Sequence, residues 1–139
     1  MGYKFVEDLT SDVMFVARGK DLSEVFEQAS LALFEVVCQR ELVESLEKRK
    51  IKAEGENEKE LLHEWLSELL SESDAEEIFF SKFKVEIKKE GGKMVAIGEA
   101  WGEPYSQEKS ETVVKGITYY KFDLKKNENG WEATVVCDI

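Results

Sequence analysis

The chain has 139 residues, with 19 lysines and arginines against 30 aspartates and glutamates, for a formal net charge of −11. Both halves are acidic, which excludes non-specific nucleic-acid binding as a main activity, because that binding is driven by clustered cations displacing counterions from phosphate. The length and a hydrophobic content of 42% suit one domain over residues 1–139 with one sizeable core.

The longest unbroken apolar run, Val13 to Ala17, has five residues, far short of the roughly 18 that a membrane-spanning helix needs. No apolar stretch with a small-residue cleavage site opens the chain, so a cytoplasmic protein with no membrane partner is expected. Cys38 and Cys137 lie far apart without a CxxC pair or a companion histidine. Two reduced thiols are therefore expected, rather than a zinc site or a disulfide.

In chain order, Tyr3 to Arg18 reads as a short turn followed by a buried strand that contains Val13 to Ala17. Asp21 and Glu24 have capping-box spacing, and the apolar residues from Leu22 to Val37 recur at helical period, which predicts an amphipathic helix of about four turns. Residues 44–60 are rich in charge, and Ile51 and Ala53 alternate with polar neighbours, which predicts a short edge strand over 49–54. Asn57 with Glu60 caps a second helix that carries Leu61, Leu62, Trp65, Leu66, Leu69 and Leu70 and ends near Ser73.

From Ile78 onward the period falls to two. Four strands are predicted, around Phe83 to Ile87, Val95 to Ile97, Val113 to Tyr119 and Trp131 to Cys137. Glu90-Gly91-Gly92 and Asn127 to Gly130 have the composition of hairpin connections, so an antiparallel meander is the simplest topology. Gly102 to Thr112, with the only proline at Pro104, is expected to be an exposed loop. The fold class is α+β, two amphipathic helices packed on a mainly antiparallel sheet.

His63, the only histidine, is placed on the polar face of the second helix as a solvated residue. A catalytic triad or a zinc site would need further histidines or thiols beside it. Neither GxGxxG nor GxxxxGK occurs, which removes the dinucleotide and ATPase classes. Among the carboxylates two stand out. Asp12 opens the first apolar strand, where a β-branched residue would be the ordinary choice. Asp138 ends the last strand, next to the carboxylate of Ile139. Hard oxygen donors of this kind suit Ca²⁺, Mg²⁺ or Mn²⁺, although nothing local in the sequence brings the two aspartates together.

Together these segments resemble the archease family over nearly the whole chain. Asp8-Leu9-Thr10-Ser11-Asp12 resembles the family's E-H-T-A-D opening, and Gly19 to Phe26 with Ala29, Ala32, Leu33 and Phe34 resembles its first helix. Glu60-Leu61-Leu62-His63-Glu64-Trp65-Leu66-Ser67-Glu68-Leu69-Leu70 is similar to its L-L-x-E-W-L-x-E-L-L helix. Gly102-Glu103-Pro104, Val114 to Tyr119 and the closing Asp138-Ile139 resemble its G-E-P, V-K-A-V-T-Y and D-I elements. Leu9 and Tyr120 stand where the family carries histidines, and Ser11 where it carries alanine.

The resemblance implies a non-enzymatic activator that promotes guanylylation and multiple turnover of a GTP-dependent tRNA-splicing RNA ligase. It implies a divalent-metal site on Asp12, Asp138 and Ile139, with calcium first and Mg²⁺ or Mn²⁺ next, and it makes Lys115 a candidate contact to the ligase. A chaperone-like action on tRNA-modifying enzymes, such as a tRNA methyltransferase, is the alternative it carries. A metal-dependent phosphoesterase built on the same carboxylates would lack a histidine, an arginine and a phosphate loop.

Overall fold

A computed structural model describes residues 2–6 and 12–139. In order, the elements are β1 (Gly2–Val6), β2 (Asp12–Gly19), α1 (Leu22–Val37), β3 (Glu47–Gly55), α2 (Glu58–Glu76), β4 (Ile78–Glu90), β5 (Lys93–Pro104), β6 (Gly116–Ile117), β7 (Asp123–Asn127) and β8 (Gly130–Asp138). The α+β class is as expected, and the strand pairs are antiparallel.

Both helices start where local chemistry starts them. The Asp21 carboxylate accepts the Glu24 N–H at 2.8 Å while Glu24 reaches back to the Lys20 N–H at 2.6 Å. Asn57 likewise accepts the Glu60 N–H at 2.9 Å. The bonds to the Glu24 and Glu60 N–H groups each satisfy a first-turn donor that has no partner within its helix. α2 runs past Ser73 to Glu76 and stops at Glu77, which takes the left-handed conformation at φ 51°.

The strands form two sheets rather than one meander. In the first, β8 is central, with β2 and then β1 on one side and both β7 and β6 on the other. In the second, β5 lies between β3 and β4, which makes β3 the expected edge strand. β4 and β5 join through Gly91 and Gly92, with φ of 56° and 82°, the two positive angles that a tight hairpin turn of the right twist demands. Each helix touches both sheets. Phe15, Phe26, Phe34, Leu62, Trp65 and Phe80 are fully enclosed in the resulting core, and each such side chain contributes about 1.5–3 kcal/mol through burial.

Four expectations need correction. Tyr3 belongs to a strand, β1, whose register on β2 runs from Gly2 opposite Arg18 to Val6 opposite Met14. Five strands follow α2, because β7 is a strand in its own right. The alternation from Val113 to Tyr119 yields only the two-residue β6. Just before it the Glu111 and Thr112 N–H groups donate to the Val37 and Val36 carbonyls, satisfying acceptors that the end of α1 leaves free, while the Lys115 and Thr118 N–H groups donate to the Asp138 and Val136 carbonyls of β8. Tyr119 opens a turn closed by the Phe122 N–H at 3.2 Å. The Gly102–Thr112 passage is only partly loop, since β5 continues through Pro104 before the chain crosses the end of α1, where Ser110 bridges to Cys38.

Candidate functional site

β2 and β8 pair over their full lengths, and their register sets Asp12 directly opposite Asp138. On its other side Asp138 pairs with Gly116 of β6. Strand alternation turns Val13, Cys137 and Ile117 inward, and the last two are buried in the core, so the two aspartates share the outward face. The row Asp12, Asp138, Gly116 thus sets two carboxylates beside a residue with no side chain. A Cβ built on Gly116 would meet nothing within 4 Å. Asp12 is half-buried and Asp138 exposed.

Opposed like charges about 5 Å apart cost on the order of 1 kcal/mol. No lysine or arginine pairs with either aspartate among the described residues. The donor chemistry and the open floor fit a hard divalent cation. No three His, Cys, Asp or Glu side chains converge anywhere among the described residues, and among those residues the carboxylate of Ile139, next to Asp138 in the chain, is the further donor considered for this row. The Asp8–Ser11 motif and Leu9 lie outside the described residues.

Lys115 is exposed, and its backbone N–H donates to the Asp138 carbonyl at 2.7 Å. It is therefore anchored to the acidic row through the main chain, and together with Gly116 and Ile117 it is among the residues that line a cleft of about 600 Å³. That cleft lies between the second half of α2 and the segment from Tyr105 to Ile117.

His63 corrects the sequence reading most sharply. It is only 8% exposed. Its Nε2 donates to the Ile117 carbonyl at 2.8 Å, an assignment that follows because a carbonyl can only accept. Its ring stacks on Tyr119 at 3.9 Å between centroids and 10° between planes, and Phe122 meets it edge-on. Nδ1 is left buried with no partner among the described residues. This face of α2 is covered because the helix is packed against β6 and β7 as well as β3. The signal the sequence carries for it is a histidine two turns before Leu70, on the flank of the leucine stripe.

Both thiols are free and buried. Burial pushes each up to about 12, which suppresses the thiolate that metal binding or nucleophilic attack would require. No helix among the described residues is long and apolar enough to cross a membrane.

A model of the archease protein family matches residues 3–139. A protein archease from Methanothermobacter thermautotrophicus is 38% identical over 139 residues, covering 99% of each chain. One from Methanosarcina mazei is 39% identical, covering 99% of this chain and 95% of the relative. Among solved structures, the solution structure of a Methanobacterium thermoautotrophicum protein superposes with a TM-score of 0.88 at 38% identity, covering 99% of both chains. The crystal structure of an archease from Thermotoga maritima, described as a possible chaperone, shares the fold at a TM-score of 0.63 and 16% identity, covering 96% of this chain and 98% of that one. With its family match running from Tyr3 to Ile139 and relatives well above 30% identity across their length, the chain belongs to the archease family.

Proposed function

We propose that this chain is a non-catalytic accessory protein that promotes guanylylation and multiple turnover of a GTP-dependent tRNA-splicing RNA ligase in the cytoplasm. The observation that carries the reading is the cross-strand pair of Asp12 and Asp138 beside the bare Gly116. Asp12, Asp138 and the carboxylate of Ile139 would hold a divalent cation, Ca²⁺ first and Mg²⁺ or Mn²⁺ next. When bound, the ion supplies a hard Lewis-acid centre that can orient a phosphate oxygen. The residues around it supply the docking. An acidic protein surface is steered toward a basic RNA-binding enzyme, and Lys115 offers a cation at the rim for a carboxylate of the ligase.

The test counts RNA joining events per ligase with GTP and a divalent metal, comparing the wild type with Asp12→Asn. The expected result is many turnovers with the wild type and about one with the variant. Turnover that neither protein changes refutes the reading. The ligase complex should also weaken steeply between low and high salt, and a salt-independent affinity counts against electrostatic docking.

A second reading, chaperone-like action on a tRNA-modifying enzyme such as a methyltransferase, draws on the description of the Thermotoga maritima relative as a possible chaperone. Leu42, Leu46 and Val113 are exposed on this chain. If this reading holds, the protein delays heat-induced aggregation of the methyltransferase at equimolar ratio; an unchanged rate of light scattering rejects it.

A further inference from the structure

Charge is spread unevenly over this chain. The second sheet turns one face inward, where Ile51, Ala53, Phe83, Val85, Ala96 and Ala100 join the core, and strand alternation sends the residues between them outward. The register lays those outward residues in rows across β3, β5 and β4. The first row is Lys48, Trp101 and Lys82, the next is Lys50, Glu99 and Lys84, and the third is Lys52, Ile97 and Glu86. Five lysines against two glutamates make this a basic face on a chain of net charge −11. Glu99 is engaged by Lys48 at 3.1 Å, and Lys52 lies 3.7 Å from Glu54. Lys50, Lys82 and Lys84 have no carboxylate partner among the described residues. The Lys82 ammonium sits over the half-buried Trp101 ring, 4.9 Å from its centroid. Because Lys82 is exposed, the indole turns a face, not an edge, toward the layer that holds the ammonium. Between Lys50 and Lys84 the surface dips into a depression of about 300 Å³ that Ile97 and Glu99 also line.

We propose that this face binds a short stretch of single-stranded RNA. Three unpaired ammonium groups on two strands about 10 Å apart suit an anion that repeats, and an open indole face suits a flat π system. A nucleotide chain supplies both in every residue. An acidic peptide repeats the anion but leaves the indole unused, a single phosphate engages one corner, and a duplex hides its base faces within its own stack. A base that settles on Trp101 also frees the Lys82 ammonium for phosphate, where lysine acts as a point charge. An antiparallel sheet backed by helices, with an aromatic ring on its open face, is an arrangement by which sheets hold splayed bases. Coating of nucleic acid by the whole surface stays excluded by the net charge, and the acidic surroundings confine the footprint to this sheet. What a sum over the chain conceals is one face of opposite sign.

The face belongs to the second sheet and the Asp12–Asp138 row to the first, so binding does not depend on the cation site. Only the choice of RNA over DNA rests on the ligase reading. The experiment follows the fluorescence anisotropy of a labelled oligouridine of about eight nucleotides as the intact protein is added, in EDTA, over a series of salt concentrations. A Kd on the order of 10⁻⁴ M is expected at low salt, with a slope of log affinity against log salt of about −2 for three phosphates. Lys50→Gln together with Lys84→Gln should weaken binding and bring the slope to about −0.7. Trp101→Leu should weaken it about tenfold and leave the slope unchanged. Both lysines are exposed, so the paired variant keeps the test alive even if the tryptophan variant loses its fold, which circular dichroism checks. Asp12→Asn should bind as the wild type does, whatever happens to ligase turnover. Polyglutamate should fail to displace the RNA, and a hairpin duplex and inorganic phosphate should bind more weakly than the single strand. Absence of saturation below about 1 mM, a slope near zero, equal binding of the duplex, or tighter binding of oligothymidine than of oligouridine overturns the proposal. Displacement by polyglutamate overturns it too, and assigns the face to an acidic protein instead.

Discussion

Asp12 and Asp138 face each other across β2 and β8 with their carboxylates on the same outward side of the sheet, although 125 positions separate them in the chain. In the absence of a cation this arrangement repels, and with one it becomes a ligand pair. The two states make opposite demands on stability. Calcium should raise the unfolding temperature of the wild type, by the equivalent of about 2.7 kcal/mol at a hundredfold excess over its Kd, and Asp12→Asn should abolish the rise. In EDTA the same variant should be at least as stable as the wild type, because it removes a like-charge contact. Differential scanning calorimetry with and without the metal decides both. A wild type indifferent to calcium would show that these carboxylates hold no cation.

The buried His63 makes a prediction for the same corner of the fold. His63→Leu keeps most of the volume but takes the Nε2–H from the Ile117 carbonyl, so it should cost about 1–2 kcal/mol. The loss should concentrate at β6 and the Tyr119–Phe122 turn, visible as faster amide exchange from 116 to 122. A variant as stable as the wild type, with β6 still protected, would mean that apolar packing against Tyr119 and Phe122, and not the Nε2 hydrogen bond, secures this corner.

What the sequence revealed and what it hid divide along the distance over which each feature is encoded. Asp21 with Glu24, Asn57 with Glu60, and the leucine stripes are local, and α1 and α2 begin at those caps. The Gly91-Gly92 hairpin is equally local. The division into two sheets is not, because it depends on β8 returning to β2 and on β5 reaching back to β3. The apposition of Asp12 and Asp138 is a product of that return. Val113 to Tyr119 does alternate, but the Glu111 and Thr112 N–H groups just before it are engaged by the end of α1 and the Tyr119 carbonyl just after Ile117 closes a turn with Phe122, constraints that no period of side chains reports. A leucine stripe marks the centre of a buried arc and not its width, so His63 on its flank reads as polar although it is buried.

Trp65 places its indole N–H against a single acceptor, Ser30 Oγ at 2.9 Å, and that hydroxyl donates onward to the Phe26 carbonyl at 2.7 Å. All of this is sealed from solvent. Ser30→Ala should therefore cost about 1–3 kcal/mol, far more than a methyl-sized change, because the indole donor is orphaned. In a Trp65→Phe background the donor no longer exists, and the same Ser30→Ala change should cost about 1 kcal/mol less. Urea denaturation of the four proteins closes the cycle. Additive losses would show that the bond between α1 and α2 contributes nothing of its own.

One carboxylate secures the segment that walls the cleft. Glu103 Oε1 accepts from Lys109 Nζ at 2.6 Å and from the Glu44 N–H at 2.9 Å. The Lys109 bond first, and then the Glu44 amide, hold its carboxyl below the usual range. A group whose pKa is depressed by folding adds stability that is full above its unfolded value, near 4.3, and is lost as the pH falls through its folded value. Glu103→Gln should thus lower the unfolding temperature by about 3 °C at pH 7. The gap should close as acid protonates Glu103 in the wild type, since neither protein then has the charge. Amides from 105 to 110 should exchange faster in the variant at neutral pH. A temperature difference that stays constant from pH 7 down to 3 would show that the side chain's shape, and not its charge, ties Glu103 to Lys109.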